Sequence, residues 1–227
     1  PPFVVQPSPA PQNPTVRLSP PEPRQPWDPL DIGDFTLVDQ TGAEVVRDDL
    51  LGKPWVASFI LSRCPTHCPK LAAKVHDRNE MVKDVDVRFV TITVDPVHDT
   101  PEKLAAFADI YEADPERWIF LTGEKAEVYK LIRHGFKVSA WENFGTDRLP
   151  GMEFAHSLSL VHVGPEGKVL GMYSSNDETE ILKLSRVLKG DMETPVENRP
   201  VPPTAVPEGQ LPGAAPPPEF APTPESS

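Results

Sequence analysis

Trp55-Val56-Ala57-Ser58-Phe59-Ile60-Leu61 runs directly into Ser62-Arg63-Cys64-Pro65-Thr66-His67-Cys68-Pro69. The first seven residues are almost wholly apolar, the pattern of a strand buried on both faces. The two cysteines that follow are the only ones in the chain. Beyond them Leu71, Val75, Arg78/Asn79 and Val82 recur at helical spacing, which predicts a helix over about 69–83 with one apolar stripe. Proline lacks an N–H and fits best at the first helical position, so Cys68 is expected at the N-cap and Cys64 in the loop before it. Both sulfurs would then sit near the positive end of the helix dipole, which favours thiolate over thiol.

Outward from this corner, Val85 to Val94 reads as a second buried strand, ended by Asp95-Pro96. Thr100-Pro101-Glu102 has the signature of a helix start: a hydroxyl at the cap, proline first, then a carboxylate. Trp118 to Leu121 is a third strand and 124–134 a third helix. Upstream, residues 35–46 form two short strands around Gly42. Downstream, 139–155 has no clear period and reads as a long loop or irregular hairpin. Ser157 to Val163 and Lys168 to Tyr173 then form a closing strand pair, and Asp177-Glu178-Thr179-Glu180 opens a last helix. This order predicts an α/β thioredoxin-like fold with an N-terminal β-hairpin.

Of 30 prolines, eleven lie in residues 1–29 and eleven in 191–227. Those ends are poor in residues that could bury surface, so residues 1–30 and 191–227 are expected to be proline-rich disordered tails or linkers. The single folded domain is expected over 31–190, a comfortable size for one core. Net charge is −12, without a basic patch, which argues against nucleic acid and anionic membrane surfaces as partners. No stretch approaches the ~18–20 apolar residues of a membrane-spanning helix. The chain starts at Pro1-Pro2, so it is read as a piece whose membrane anchor, if any, lies outside this sequence.

Three uses of the cysteine pair are open on the residues alone. A structural staple is one, although so short a loop closes little entropy. A redox dithiol is another, but such sites usually place two residues between the cysteines, and here Pro65-Thr66-His67 intervene. A soft-metal site is the third, and two thiolates need at least one more ligand. Among the six histidines, His67 is expected to face solvent and His76 to be exposed on the helix. His98 lies in the loop after Asp95-Pro96, His134 at a helix end and His162 on a strand face. His156 is expected to end the irregular loop and start a strand that faces the cysteine corner.

Residues 33–190 resemble the Sco/SenC family of copper-binding proteins that assist cytochrome c oxidase assembly. The resemblance rests on Cys64-Pro65-Thr66-His67-Cys68-Pro69 after an apolar strand, and on Val94-Asp95-Pro96 with Asp99-Thr100-Pro101-Glu102. Leu121-Thr122-Gly123, and His156-Ser157 before a strand ending in Gly164-Pro165-Glu166-Gly167, complete it. It implies a copper site formed by Cys64, Cys68 and His156, able to hold Cu(I) and Cu(II). It also implies a copper chaperone that delivers to the binuclear centre of a copper-receiving subunit of cytochrome c oxidase. Copper donor and thiol reductant proteins would be its further partners. The implied location is the extracytoplasmic side of a membrane, in a bacterial periplasm or mitochondrial intermembrane space, with the full-length protein membrane-anchored.

Two positions depart from the family pattern. Ala155 stands where many members have an acidic residue, and His98 replaces the arginine of Asp-Pro-x-Arg-Asp, either incidentally or as an extra ligand. Asp95 and Asp99 are expected to structure their loop rather than bind metal, with a supporting role behind the ligands as the alternative. The rival functions are a thiol-disulfide oxidoreductase, with Cys64 and Cys68 catalytic, and a copper or redox sensor. Redox enzymes of this fold usually carry a cis-proline where this chain has His156-Ser157, which counts against general disulfide exchange.

Overall fold

The computed structural model describes residues 29–138, 140–142, 154–156 and 158–200. The parts of the two expected tails at 1–28 and 201–227, most of the irregular loop, and Ser157 lie outside the described residues.

The core is one eight-stranded sheet. Its centre is β4 (Trp55–Ile60), buried at every position, as an uninterrupted apolar run requires. On one side β4 pairs in parallel with β5 (Arg88–Thr93), and β5 in parallel with β6 (Trp118–Thr122). On the other side it pairs antiparallel with β9 (Ser159–Val163), which continues to β10 (Lys168–Ser174) and then to β1 (Leu30–Asp31). The expected N-terminal hairpin is β2 (Thr36–Asp39) with β3 (Glu44–Val46), attached to the far edge through β6.

The two parallel steps run in the same direction across the sheet. Right-handed crossovers therefore place α1 (His67–Met81) and α2 (Pro101–Ile110) on one face. Consistent with this, the Tyr111 hydroxyl just beyond α2 donates to Pro69 O in α1 at 3.3 Å. Strand alternation then sorts the side chains. Ser58, Thr91 and Trp118 share a face, where the Ser58 and Thr91 hydroxyls lie 2.9 Å apart and Trp118 Nε1 donates to Thr91 at 2.7 Å. Trp55 and Phe59 point the other way and meet Phe136 edge-on, at 5.9 and 5.3 Å between ring centroids. The buried polar groups of the first face are thus paired to one another, which is the condition for burying them cheaply.

Several elements differ from the sequence reading. The second strand begins at Arg88 rather than Val85, because the carbonyls of Val82 and Val85 are taken by the Arg117 guanidinium instead of a neighbouring strand. The third helix, α3 (Lys125–Lys130), passes into a π-helical turn over Leu131–Gly135. That turn brings Gly135 so close to the chain after β1 that an added Cβ would lie 2.5 Å from Ile32 O. Thr100 does sit at the N-cap of α2, but its hydroxyl makes no cap bond and instead holds the Glu102 carboxyl below the usual range.

The irregular region forms a hairpin stem. β7 (Ala140–Glu142) pairs antiparallel with β8 (Phe154–His156), as a ribbon apart from the main sheet. At the C-terminal end, α4 (Glu178–Leu188) starts with the Asp177 side chain accepting Thr179 N–H at 2.8 Å. Residues 191–200 do not leave the domain at 190. Asn198 is buried, and its side-chain amide donates to Met172 O at 3.0 Å.

Candidate metal centre

After Ile60 the chain turns within four residues, closed by Cys64 N–H on Leu61 O at 3.2 Å. The helix then begins two residues earlier than expected, at His67, so Cys68 and Pro69 are its second and third residues and Thr66 is the N-cap. The proline fits because the first-turn N–H groups have no intrahelical partner, so its missing donor costs nothing anywhere in that turn. Thr66 supplies no cap bond, its hydroxyl lying 3.0 Å from His67 Nδ1. Sulfur does that work instead: Cys68 N–H points at Cys64 Sγ at 3.5 Å.

The two thiols are not joined in a disulfide and are buried, Cys64 to 7% exposure and Cys68 to 0%. Cys68 Sγ accepts Leu61 N–H at 3.4 Å. Their acidities diverge. Burial pushes Cys64 up, but the N–H groups of Cys68, Thr66 and His67 and the Cys68 thiol together hold it below its ordinary value. Burial pushes Cys68 far up, Leu61 N–H offsets only part of that, and the negative charges of Cys64 and Asp99 add to it. Negative charge therefore resides first on Cys64, and a second thiolate is stable only against a cation.

The connection from β5 to α2 backs this turn. Arg63 Nε donates to Asp95 Oδ2 at 2.7 Å, and Ser62 bonds Asp99 through both its N–H and its hydroxyl. Within their own loop, the backbone N–H groups of Asp99 and His98 both donate to Asp95 O. The Asp95 and Asp99 side chains reach further, to the cysteine turn, in the supporting position that was the alternative for them. The sequence signal was a pair of carboxylates in a loop following the strand next to β4.

The histidines sort clearly. His67 is exposed. His98 Nδ1 lies 2.8 Å from Lys103 Nζ, and an ammonium can only donate. Nδ1 therefore accepts that bond, and its lone pair is engaged by Lys103. His76, expected exposed, is half-buried in a groove with Ala73, Asp77 and Tyr111. His134 is exposed at the end of the π turn, and His162 is buried on β9. His156 ends the short strand β8, with Ala140 as its register partner, and does not open β9. Its side chain lies outside the described residues. Among the described residues, no three His, Cys, Asp or Glu side chains form a ligand set.

Two cysteines at the strand-to-helix corner of a sheet with this order define a thioredoxin-like protein with a thiol pair at its working end. The chain belongs to the SCO1/SenC family, whose model matches residues 26–189. It is 34% identical over 157 residues to the SCO1 protein homolog of Bacillus subtilis, covering 67% of this chain and 79% of that one. Among solved structures it resembles BsSco, described as having a disulfide switch and as a member of the Sco family of cytochrome c oxidase assembly proteins. That match has 31% identity and a TM-score of 0.62, over 74% of this chain and 97% of the other. It also resembles Bradyrhizobium japonicum ScoI with copper bound, at 28% identity and a TM-score of 0.56, covering 68% and 97% of the two chains.

Proposed function

We propose that this protein is a copper chaperone that takes up copper through Cys64, Cys68 and His156 and hands it to the binuclear copper centre of a cytochrome c oxidase subunit. The observation that carries the reading is a pair of cysteines in thiol form whose sulfurs share one turn, Cys64 Sγ facing the N–H of Cys68. Two soft thiolates and an imidazole suit Cu(I), and the same donors with one outer ligand accommodate Cu(II). Zinc also accepts two cysteines and a histidine, so the family membership and the copper-bound relative favour copper.

Uptake is proton-linked. Cys68 holds its proton in the absence of a cation, so binding one copper ion releases that proton as the second thiolate forms. Delivery follows by ligand exchange, with acceptor ligands replacing the donor's one at a time while copper remains coordinated throughout. A disulfide cannot supply two thiolates, so a thiol reductant partner must act first. The reading places the domain on the extracytoplasmic side of a membrane, held there by an anchor beyond this sequence. The test is copper analysis of the reduced protein with absorption spectra after Cu(II) addition. One copper per chain with a thiolate-to-copper charge-transfer band is expected, and His156→Ala should sharply weaken Cu(II) binding. An unchanged Cu(II) affinity in that variant would remove His156 from the site.

A second reading, thiol-disulfide exchange, is favoured by the split acidity of the pair, which makes Cys64 the attacking thiol and Cys68 the resolving one. Turnover of a disulfide substrate that stops when either cysteine is replaced would support it, and no turnover at all would retire it.

A further inference from the structure

Each residue of the turn that leads to Cys64 is tied by its own bond. Leu61 N–H is held by Cys68 Sγ, Ser62 by Asp99 and Arg63 by Asp95. The Asp99 tie is the most extensive. This carboxylate is fully buried. Its Oδ2 accepts Ser62 N–H at 3.0 Å and the Thr93 hydroxyl at 2.5 Å, while its Oδ1 accepts the Ser62 hydroxyl at 2.5 Å. The Thr93 hydroxyl also accepts Asp95 N–H at 2.9 Å, so the end of β5, the loop after it and the cysteine turn meet at one carboxylate. Burying such a group without partners would be costly, and here three donors satisfy it.

We propose that Asp99 is a positioning residue for the cysteine pair: by clasping Ser62 through backbone and side chain to Thr93, it fixes where Cys64 Sγ stands relative to Cys68. The clasp sets the separation at which two sulfurs can serve one ion or join to each other. It touches neither sulfur's cargo, so Asp99 acts through the turn. The inference deepens the copper reading and rests on it for the use of the donor pair, but the clasp itself is testable without metal.

Asparagine can reproduce the geometry. Its carbonyl oxygen accepts from Ser62 N–H and Thr93, and its amide donates to a Ser62 hydroxyl turned to accept. Alanine cannot. In the full chain, Asp99→Ala should raise amide exchange at Ser62 by at least ~10-fold. It should shift the Cys64–Cys68 thiol-disulfide equilibrium against glutathione by a similar factor. Asp99→Asn should stay within about threefold on both readouts, a rescue that a charge effect alone would not give. If Asp99→Ala does not fold, Ser62→Ala and Thr93→Val each remove one donor and are read in the same way. Wild-type values for both readouts in the variants that lose the donors would overturn the proposal, as would an asparagine variant that fails as completely as alanine. Cu(I) competition with a chelator supplies a separate arm. Should the wild-type chain bind no copper, the chaperone reading falls while exchange and thiol equilibrium still decide the clasp.

Discussion

Arg63, the residue immediately before Cys64, donates from Nε to Asp95 Oδ2 at 2.7 Å, and the Asp95 side chain is only 5% exposed. Removing the guanidinium strands a buried carboxylate. Arg63→Ala is expected to cost about 1–3 kcal/mol, read as a fall in the urea midpoint at constant slope. Arg63→Lys should recover only part of this, because an ammonium does not reproduce the planar donor. A midpoint identical to wild type would show that water replaces the arginine at no cost.

The two thiols should react at very different rates. Cys64 is held low by the N–H groups around it, while burial and neighbouring negative charge push Cys68 up. At neutral pH, alkylation followed by mass spectrometry of the peptides should modify Cys64 first. Cys64 in a Cys68→Ser chain should react at least ~10-fold faster than Cys68 in a Cys64→Ser chain. Equal rates would contradict the asymmetry.

His162 lies on β9 opposite Val56 on one side and Gly171 on the other, and its Nδ1 has no hydrogen-bond partner among the described residues. Burial lowers its pKa from 6.5 to about 4. The unfolded chain therefore takes up a proton near pH 6.5 that the folded chain refuses until about pH 4. Its contribution is complete above pH 6.5 and is lost as pH falls toward 4, amounting to about 3 kcal/mol over that window. Denaturant titrations of wild type and His162→Leu should diverge across this range, with the variant flatter. Parallel curves would assign the pH dependence to other groups.

Ending the chain at residue 190 should destabilise the domain. Asn198 is buried against β10 and bonds Met172 O, and Lys183 reaches Glu197 at 3.1 Å. Thr194 also packs over Gly171, within 3.0 Å of where a Cβ would stand. Loss of this segment is expected to cost about 1–3 kcal/mol, mostly from the opened surface of β10. Thermal melts of the two lengths measure it, and coincident melts would mean that residues 191–200 contribute nothing.

What could be read in advance follows from how locally each feature is encoded. The apolar run 55–61 announces β4 by itself, and β5 and β6 follow from short branched and aromatic runs that reproduce the expected order. Boundaries failed where a distant side chain intervened. Arg117 claims carbonyls at 82 and 85 and delays β5, while the close approach of Gly135 to Ile32 accompanies the turn that ends α3 early. At the site, the cysteine pair was legible from spacing and proline. The partners of Asp95 and Asp99 were not, because Arg63 and Ser62 lie 32 and 37 residues away and meet them only once β4 and β5 lie side by side. In the segment 191–200 the two prolines, Pro195 and Pro200, look like linker, whereas one buried asparagine between them anchors the stretch, a contact no local pattern announces.

The sulfur of Cys64 occupies the place at the head of α1 that a serine or aspartate oxygen usually fills, receiving the N–H of the helix's second residue. Oxidising that sulfur or coordinating it to a metal draws electron density away from the acceptor. The first turn of the helix should then fray or tighten with the state of the thiol. The Cys68 amide thereby becomes an internal gauge of cargo, whose exchange rate separates empty, loaded and oxidised chains without any label.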